Sequence, residues 1–279
     1  MSSVYLINNY INAGNLLTAE DKYRDLQILV SHFNQYPTIA LSQAMGALNL
    51  SNHYGAAKDF AKAEIKYQHL IALTSQFKQD LDIGRRQATG AYKLILEYEE
   101  VKGIVNAEIK YRHLQELVGQ FKYDYMISLR QAMGAVNMSN HYAIAKDFAE
   151  AEIKYQHLQE LANQFKQNLD IALQQSKGAV NLALSYCRQS EWEAVRLKID
   201  QAIDLANNFE KDESINMQAA TAISAILLFS REKSVNVQNR HTLVSWLSQS
   251  VQTFQLSTIW EERLPFLKET LQDELVDGK

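Results

Sequence analysis

Apolar residues recur along this chain at the spacing of amphipathic helices. Ala151, Tyr155, Leu158, Leu161 and Phe165 stand at steps of 4, 3, 3 and 4, which is one face of a helix with 3.6 residues per turn. A second stripe, Met126, Leu129, Ala132, Ala135, Met138 and Tyr142, predicts a helix over about 125–142. Between the two, around Ala145 to Asp147, there is room only for a short turn. Two long helices joined so tightly must pack antiparallel. Prolines occur only at 37 and 265, so little interrupts a mostly helical chain.

The same pattern returns every 44 residues. The string AEIKY begins at Ala63, Ala107 and Ala151, with AEDKY at Ala19 one period earlier and a decayed VRLKI at Val195. Phe33, Phe77, Phe121, Phe165 and Phe209 keep that step. So do Gly46, Gly90, Gly134 and Gly178, each followed by alanine. Residues 43–70 and 131–158 match at 23 of 28 positions, two periods apart, the mark of a duplicated two-unit block. A helix pair of this kind cannot bury its stripe alone, so neighbours stack into a continuous core. The expectation is about six pairs in one all-α domain. Repeats would fill 1–238, with units starting near 19, 63, 107, 151 and 195, and C-terminal capping helices would fill 239–279.

Composition narrows the function classes. The chain has 279 residues, 47% hydrophobic and 22% charged, values of a folded protein rather than a disordered one. A net charge of −4 gives no basic field for nucleic acid. The longest apolar run, Ala219 to Phe229, falls short of the ~20 residues that cross a bilayer. The N-terminal residues have neither a basic start nor a long apolar core, so no signal peptide is expected. A single cysteine, Cys187, excludes a disulfide framework and fits a reducing, cytoplasmic setting.

The motif residues resemble a known repeat family. Ala135-x2-Met138-Ser139-x2-Tyr142 followed by Ala151-x3-Tyr155 looks like the tetratricopeptide repeat, W-x2-L-G-x2-Y then A-x3-F. Further copies are Ala47, Leu50, Ser51, Tyr54, Ala63, Tyr67; Ala91, Leu94, Ile95, Tyr98, Ala107, Tyr111; and Ala179, Leu182, Ala183, Tyr186, Val195, Ile199. Leu6, Ile7, Tyr10, Ala19 and Tyr23 fit a truncated first copy. The tryptophan and the final proline of the consensus are missing, and the period is 44 rather than 34, so both helices should be longer than usual. Periods in the forties resemble the repeat domains of kinesin light chain and of bacterial peptide-sensing regulators. The resemblance implies a right-handed α-α superhelix whose first helices line a concave groove.

A helical wheel places Met133, Asn137, Asn140 and Ile144 about 140–200° from Ala135 at 100° per residue. If the first helices line a groove, this set faces it. Its equivalents are Met45, Asn49, Asn52 and Ala56; Thr89, Lys93, Leu96 and Glu100; and Lys177, Asn181, Leu184 and Arg188. An asparagine amide both donates and accepts, which suits it to hold the backbone of an extended peptide. The Asn-Leu-Ser and Asn-Leu-Ala strings at Asn49 and Asn181 are similar to asparagines that kinesin light chain uses in this way. The candidate peptide-binding set is therefore Asn49, Asn52, Lys93, Asn137, Asn140, Asn181 and Arg188. Apolar Leu48, Val136, Val180 and Leu184 would set specificity, and the cations would favour an acidic or C-terminal-carboxylate ligand.

Other recurrences read as structure. The glycine ladder suggests close helix approach. His69, His113 and His157 read as a solvated outer face, because adjacent helix axes ~8–10 Å apart cannot bring such a ladder to zinc distances. Glu99 and Glu100 near Lys102 read as a solvated helix end. Cys187 reads as an inert thiol, although Arg188 beside it would lower its pKa. Leu243, Trp246, Leu247, Val251 and Phe254 predict a capping helix within 242–274, followed by a frayed tail at 273–279. No nucleophile–base pair, phosphate loop, metal set or cofactor motif stands out, so a non-enzymatic module that binds a protein or peptide leads. A scaffold that self-associates as a homo-oligomer through its edges or convex face is the alternative.

Overall fold

The computed structural model describes residues 3–33, 35–232 and 240–277. These are all-α, thirteen helices without a strand among the described residues. First helices of a pair are α3 (Pro37–Ala56), α5 (Leu81–Glu100), α7 (Tyr125–Ile144), α9 (Leu169–Arg188) and α11 (Glu213–Glu232), each of 20 residues. Second helices are α4 (Phe60–Gln76), α6 (Ile104–Gln120), α8 (Phe148–Gln164) and α10 (Trp192–Asn208), each of 17 residues. The opening pair is a ten-residue α1 (Ser3–Asn12) with α2 (Leu16–His32). Helices of 20 and 17 residues fill most of each 44-residue period. The last pair is α11 with α12 (Arg240–Thr253), and α13 (Leu264–Asp277) packs on both.

The chain forms two compact units, Met1–Gly134 and Ala135–Lys279. In the first, α1, α3 and α5 pack side by side, each against its own second helix. In the second, α9 packs on α8, α10 and α11. The expected boundary at 238/239 lies outside the described residues. Helix α13 continues through Asp277, so most of the tail expected to fray is helical, and residues 278–279 lie outside the description.

Short side chains set the helix ends. Asp80, Asp124, Asn168 and Asp212 accept the backbone N–H three residues on, from Ile83, Ile127, Ile171 and Ile215 at 3.0, 2.9, 3.1 and 2.8 Å. Each such N-cap satisfies one orphan donor and contributes about 1 kcal/mol. The turns inside the pairs share a left-handed residue: Gly14, Lys58, Lys102, Lys146 and Ser190, with φ of 59–73°. The next N–H then bonds back to the tyrosine carbonyl, Asp59 to Tyr54 at 2.9 Å and Asp147 to Tyr142 at 2.9 Å. Glycine is the usual residue for this termination; only the first turn has one.

The AEIKY string is a packing device. Its alanine and tyrosine are fully buried at Ala63, Tyr67, Ala151 and Tyr155. Its isoleucine points out, with Ile65 and Ile153 exposed. Its lysine is buried, and its glutamate reaches the next pair. Glu20 accepts from Tyr54 Oη at 2.8 Å and from Lys66 Nζ at 2.5 Å. Glu64 accepts from Tyr98 and Lys110, both at 2.6 Å. Glu152 accepts from Tyr186 at 2.9 Å and Lys198 at 2.6 Å. Each lysine also lies over the preceding pair's tyrosine ring, at 4.7, 4.7 and 4.4 Å for Tyr23, Tyr67 and Tyr155. Carboxylate, hydroxyl, ammonium and ring thus meet at each of these junctions. The glycine ladder serves the same contact. A Cβ at Gly178 would stand 2.9 Å from Tyr155 Cδ2, and one at Gly46 3.1 Å from Tyr23 Cδ2.

The wheel held for Ala135, Met138 and Ser139, which are buried, but not at the start of α7. There Met126 is exposed, while Ile127 and Ser128 are fully buried. The N-cap at Asp124 fixes the helix register and turns Ile127 inward. At the C-terminal end, Trp260 is fully buried, stacks on Phe254 and donates to the Glu213 carbonyl at 3.1 Å. Arg240 forks onto Glu274 at 2.7 and 2.5 Å, which ties α12 to α13.

Two stability outcomes follow. Glu64→Ala leaves the Lys110 ammonium buried without its counter-charge, and urea denaturation should show a loss of about 3 kcal/mol. Pairing Glu64→Gln with Lys110→Met should cost far less than the sum of its single changes. Lys102→Gly removes left-handed strain from an exposed residue and should raise stability by about 0.5–1 kcal/mol in the same assay.

Candidate functional site

The face opposite the buried stripe of each first helix is where the sequence set falls. In the Met1–Gly134 unit, Asn49 and Asn52 are half-buried on α3, and Lys93 is exposed on α5. In the Ala135–Lys279 unit, Asn137 and Asn140 are half-buried on α7, Asn181 is half-buried on α9, and Arg188 is exposed at the end of α9. The set is thus divided, three residues in one unit and four in the other.

Their engagement differs. Asn49 donates its amide to Asn8 Oδ1 at 2.6 Å, so in the first unit this position fastens α3 to α1. Asn52 Oδ1 is shielded from solvent without a donor. Among the described residues, Asn137, Asn181, Lys93 and Arg188 make no side-chain hydrogen bond or ion pair, which leaves their donors and acceptors available. Glu100 is taken: Lys58 bridges Glu97 and Glu100, both at 2.6 Å. Thr89 turns back to the Arg85 carbonyl at 2.9 Å.

The expected specificity positions need correction. Leu48, Val136 and Val180 are buried. They sit one residue before the asparagines and about 100° around the helix, which turns them into the helix packing. Leu184, half-buried, and Ile144, exposed, remain apolar contributors on this face.

A second surface feature escaped the sequence. A cleft of about 350 Å³ opens between α2 and α4 over Gln43 of α3, lined by Gln27, Val30, His69 and Leu73 among others. A cleft of about 480 Å³ lies three periods on, with Gln175 of α9, Ala162 and Leu205 in the corresponding places. Such clefts are the seams between successive second helices. The histidine ladder lies along these seams rather than in open solvent. His69 Nδ1 is 2.9 Å from Tyr23 Oη and His113 Nδ1 is 3.2 Å from Tyr67 Oη, with rings stacked in both pairs. Burial lowers the pKa of both imidazoles, with the buried Lys66 and Lys110 adding to the effect.

Glu99 also departs from expectation. Glu100 beside it is solvent-exposed, but Glu99 turns inward at the position held by Gly55, Ala143 and Cys187 in other pairs. Its Oε1 is buried without a donor, and burial raises the carboxyl pKa to about 7. The Cys187 thiol is buried, and burial lifts its pKa to about 11 against the pull of Arg188, so the expected lowering by that arginine is outweighed. A thiol this high is a poor nucleophile.

Among the described residues no three histidine, cysteine, aspartate or glutamate side chains gather as metal ligands, and no helix is long and apolar enough to cross a membrane. Compared with protein-family models and with curated proteins, the chain matches none.

Glu99 gives a pH-dependent outcome. Its folded pKa lies above the ordinary value of 4.5. Its stabilising contribution is therefore complete below about pH 4.5 and is lost as pH rises through about 7. Glu99→Gln should match wild type near pH 4 and exceed it by about 3 kcal/mol near pH 8, measured by denaturant titration at both values.

Proposed function

We propose that this chain is a non-enzymatic binding module of tetratricopeptide-repeat type, which holds a protein or peptide on the face of its first helices. One observation carries the reading. In the Ala135–Lys279 unit, Asn137 and Asn181 occupy the same register of two first helices, partly exposed and with their amides uncommitted. An amide pair one repeat apart can hold the backbone of an extended segment without reading its sequence. Arg188 on the same face of α9 is exposed and supplies a bidentate donor for a carboxylate. With Leu48, Val136 and Val180 withdrawn into the packing, the face is mainly polar and cationic. The ligand chemistry that fits is an acidic segment or a C-terminal carboxylate, with Ile144 and Leu184 accepting a small apolar residue. Cytoplasmic residence, nucleic-acid independence and the absence of a membrane partner belong to the same proposal.

A scaffold role draws on a different observation. In the Ala135–Lys279 unit, Ile153 and Leu197 recur at the outward position of successive second helices and are exposed. An apolar ladder of this kind suits edge or convex-face assembly.

The groove reading is tested by affinity capture from source-cell extract with wild type and an Asn137→Ala/Asn181→Ala/Arg188→Ala variant, both of native helicity. A partner held by wild type and reduced about tenfold or more on the variant supports it. Equal capture by both moves binding to another face.

A further inference from the structure

We infer that the outer edge of the α1–α2 pair is a docking surface for a partner helix that carries a glutamate. This inference does not rest on the groove reading, since it concerns a different surface and different residues.

The chain shows the chemistry of such docking three times. At the junctions made by Glu20, Glu64 and Glu152, the receiving pair offers a tyrosine hydroxyl from its first helix and a lysine ammonium from its second. Both close on one carboxylate of the preceding pair. In the α1–α2 pair the receiving residues are Tyr10 and Lys22, two periods before Tyr98 and Lys110. They lie close enough to interact electrostatically. Among the described residues nothing completes them. Tyr10 Oη makes no hydrogen bond. Lys22 reaches only Asp25 on its own helix, at 2.8 Å. The Lys22 side chain is 39% exposed, against 4–11% for Lys66, Lys110, Lys154 and Lys198.

The apolar part of the edge is open as well. Leu29 is 41% exposed, whereas its equivalents Leu73, Leu117 and Leu161 are at 3–4%. Leu6 is half-exposed where Leu50, Leu94, Met138 and Leu182 are buried. Tyr10 also lacks the ring that Phe60 lays on Tyr98 and Phe148 lays on Tyr186, at 4.5 and 4.4 Å. Exposed and half-exposed leucines thus surround an open carboxylate receptor.

Charge identifies the occupant. The receptor takes an anion on a helix, with an aromatic ring three residues later for the lysine to cover, as in Glu64 and Tyr67. A second copy of this chain has no such glutamate to offer. Glu20, Glu64 and Glu152 are engaged, Glu108 is engaged too, and Arg196 stands at the next clamp position. The occupant is therefore a helix of another protein with the Glu-x-x-Tyr or Glu-x-x-Phe pattern on its docking face.

The probe is the chain's own clamp helix as a synthetic peptide, residues 59–77, titrated with the full chain by fluorescence anisotropy. The α3–α4 hairpin, residues 37–77, serves as a second probe that carries more of its own structure. Saturable binding is expected. It should weaken about tenfold or more with Lys22→Met or Tyr10→Phe in the protein, or with Glu64→Gln in the peptide. Glu64→Gln should cost little further on the Lys22→Met background. Thermal unfolding should show both protein variants intact, because neither side chain is buried. Absence of binding by both probes at millimolar concentration, or binding indifferent to Lys22 and Tyr10, overturns the inference. So does a dimer in analytical ultracentrifugation that Lys22→Met dissolves, since the edge would then belong to a second copy.

Discussion

An ammonium group as enclosed as that of Lys110, with 4% of its side chain exposed, stays charged in a protein interior only where its surroundings replace the water it has lost. Here the replacement comes from the preceding helix pair: the Glu64 carboxylate at 2.6 Å and the face of Tyr67 at 4.7 Å. Neither pair can satisfy its half of this junction alone. The lysine belongs to one pair, the carboxylate and ring to the other, and Tyr98 shares the same carboxylate. The adhesive between pairs is thus also a register device. Sliding one pair by a helical turn would bury an ammonium against leucine. Hydrophobic burial supplies most of the association, but it does not choose between neighbouring registers; the buried charge does.

The same constraint accounts for the pattern of variation along the chain. Positions that build the junction recur: alanine, glutamate, lysine, tyrosine, and the glycine under the tyrosine ring. Positions beside it drift. The outward residue of the motif is Asp21, Ile65, Ile109, Ile153 and Leu197. The left-handed turn residue is glycine once, lysine three times and serine once, so a backbone strain of about 1 kcal/mol recurs where the junctions hold the helices in place. A unit whose two edges carry complementary halves of one junction docks on any other such unit. That is why residues 43–70 and 131–158 could remain alike two periods apart and still fit their neighbours.

How much of this was legible in the residue order depends on the separation of the groups involved. Helix existence, the period and the antiparallel pairing follow from local spacing, and Tyr67, Leu70, Ala135 and Met138 are buried as that spacing requires. The recurrence of Glu-Ile-Lys-Tyr was visible too, but its cause was not. Glu64 and Lys110 are 46 residues apart, and a wheel that puts Lys110 among the apolar positions of its own helix does not say which anion it meets there. The histidines were misread for the same reason: the partner of His69 is Tyr23, one pair away. Glu99 was misread because its neighbour Glu100 is exposed, and a one-residue step turns a side chain about 100°. The asparagines stand partly exposed on α3, α7 and α9, but the engagement of one of them was not legible. Asn49 is spent on Asn8, a contact that exists because α1, though only ten residues long, still reaches it.

The two ends of the chain treat the junction differently, and the difference has a physical reading. Toward the C-terminus the device is dismantled step by step. Arg196 replaces the glutamate, and Ser230 and Thr242 stand where tyrosine and lysine would be. New contacts then take over, Trp260 against Phe254 and Arg240 forked on Glu274, and α13 lies on the final pair. At the α1–α2 pair nothing is dismantled. Tyr10 and Lys22 keep the residue types of the receiving half, and Leu6 and Leu29 those of its apolar rim. There the lysine and the tyrosine lack the carboxylate that their equivalents close on, and the two leucines stay partly exposed. The C-terminal helices are closed by a buried tryptophan and a bidentate ion pair, whereas the α1–α2 pair keeps the receiving residues of a junction, and this contrast is the ground for proposing recognition there.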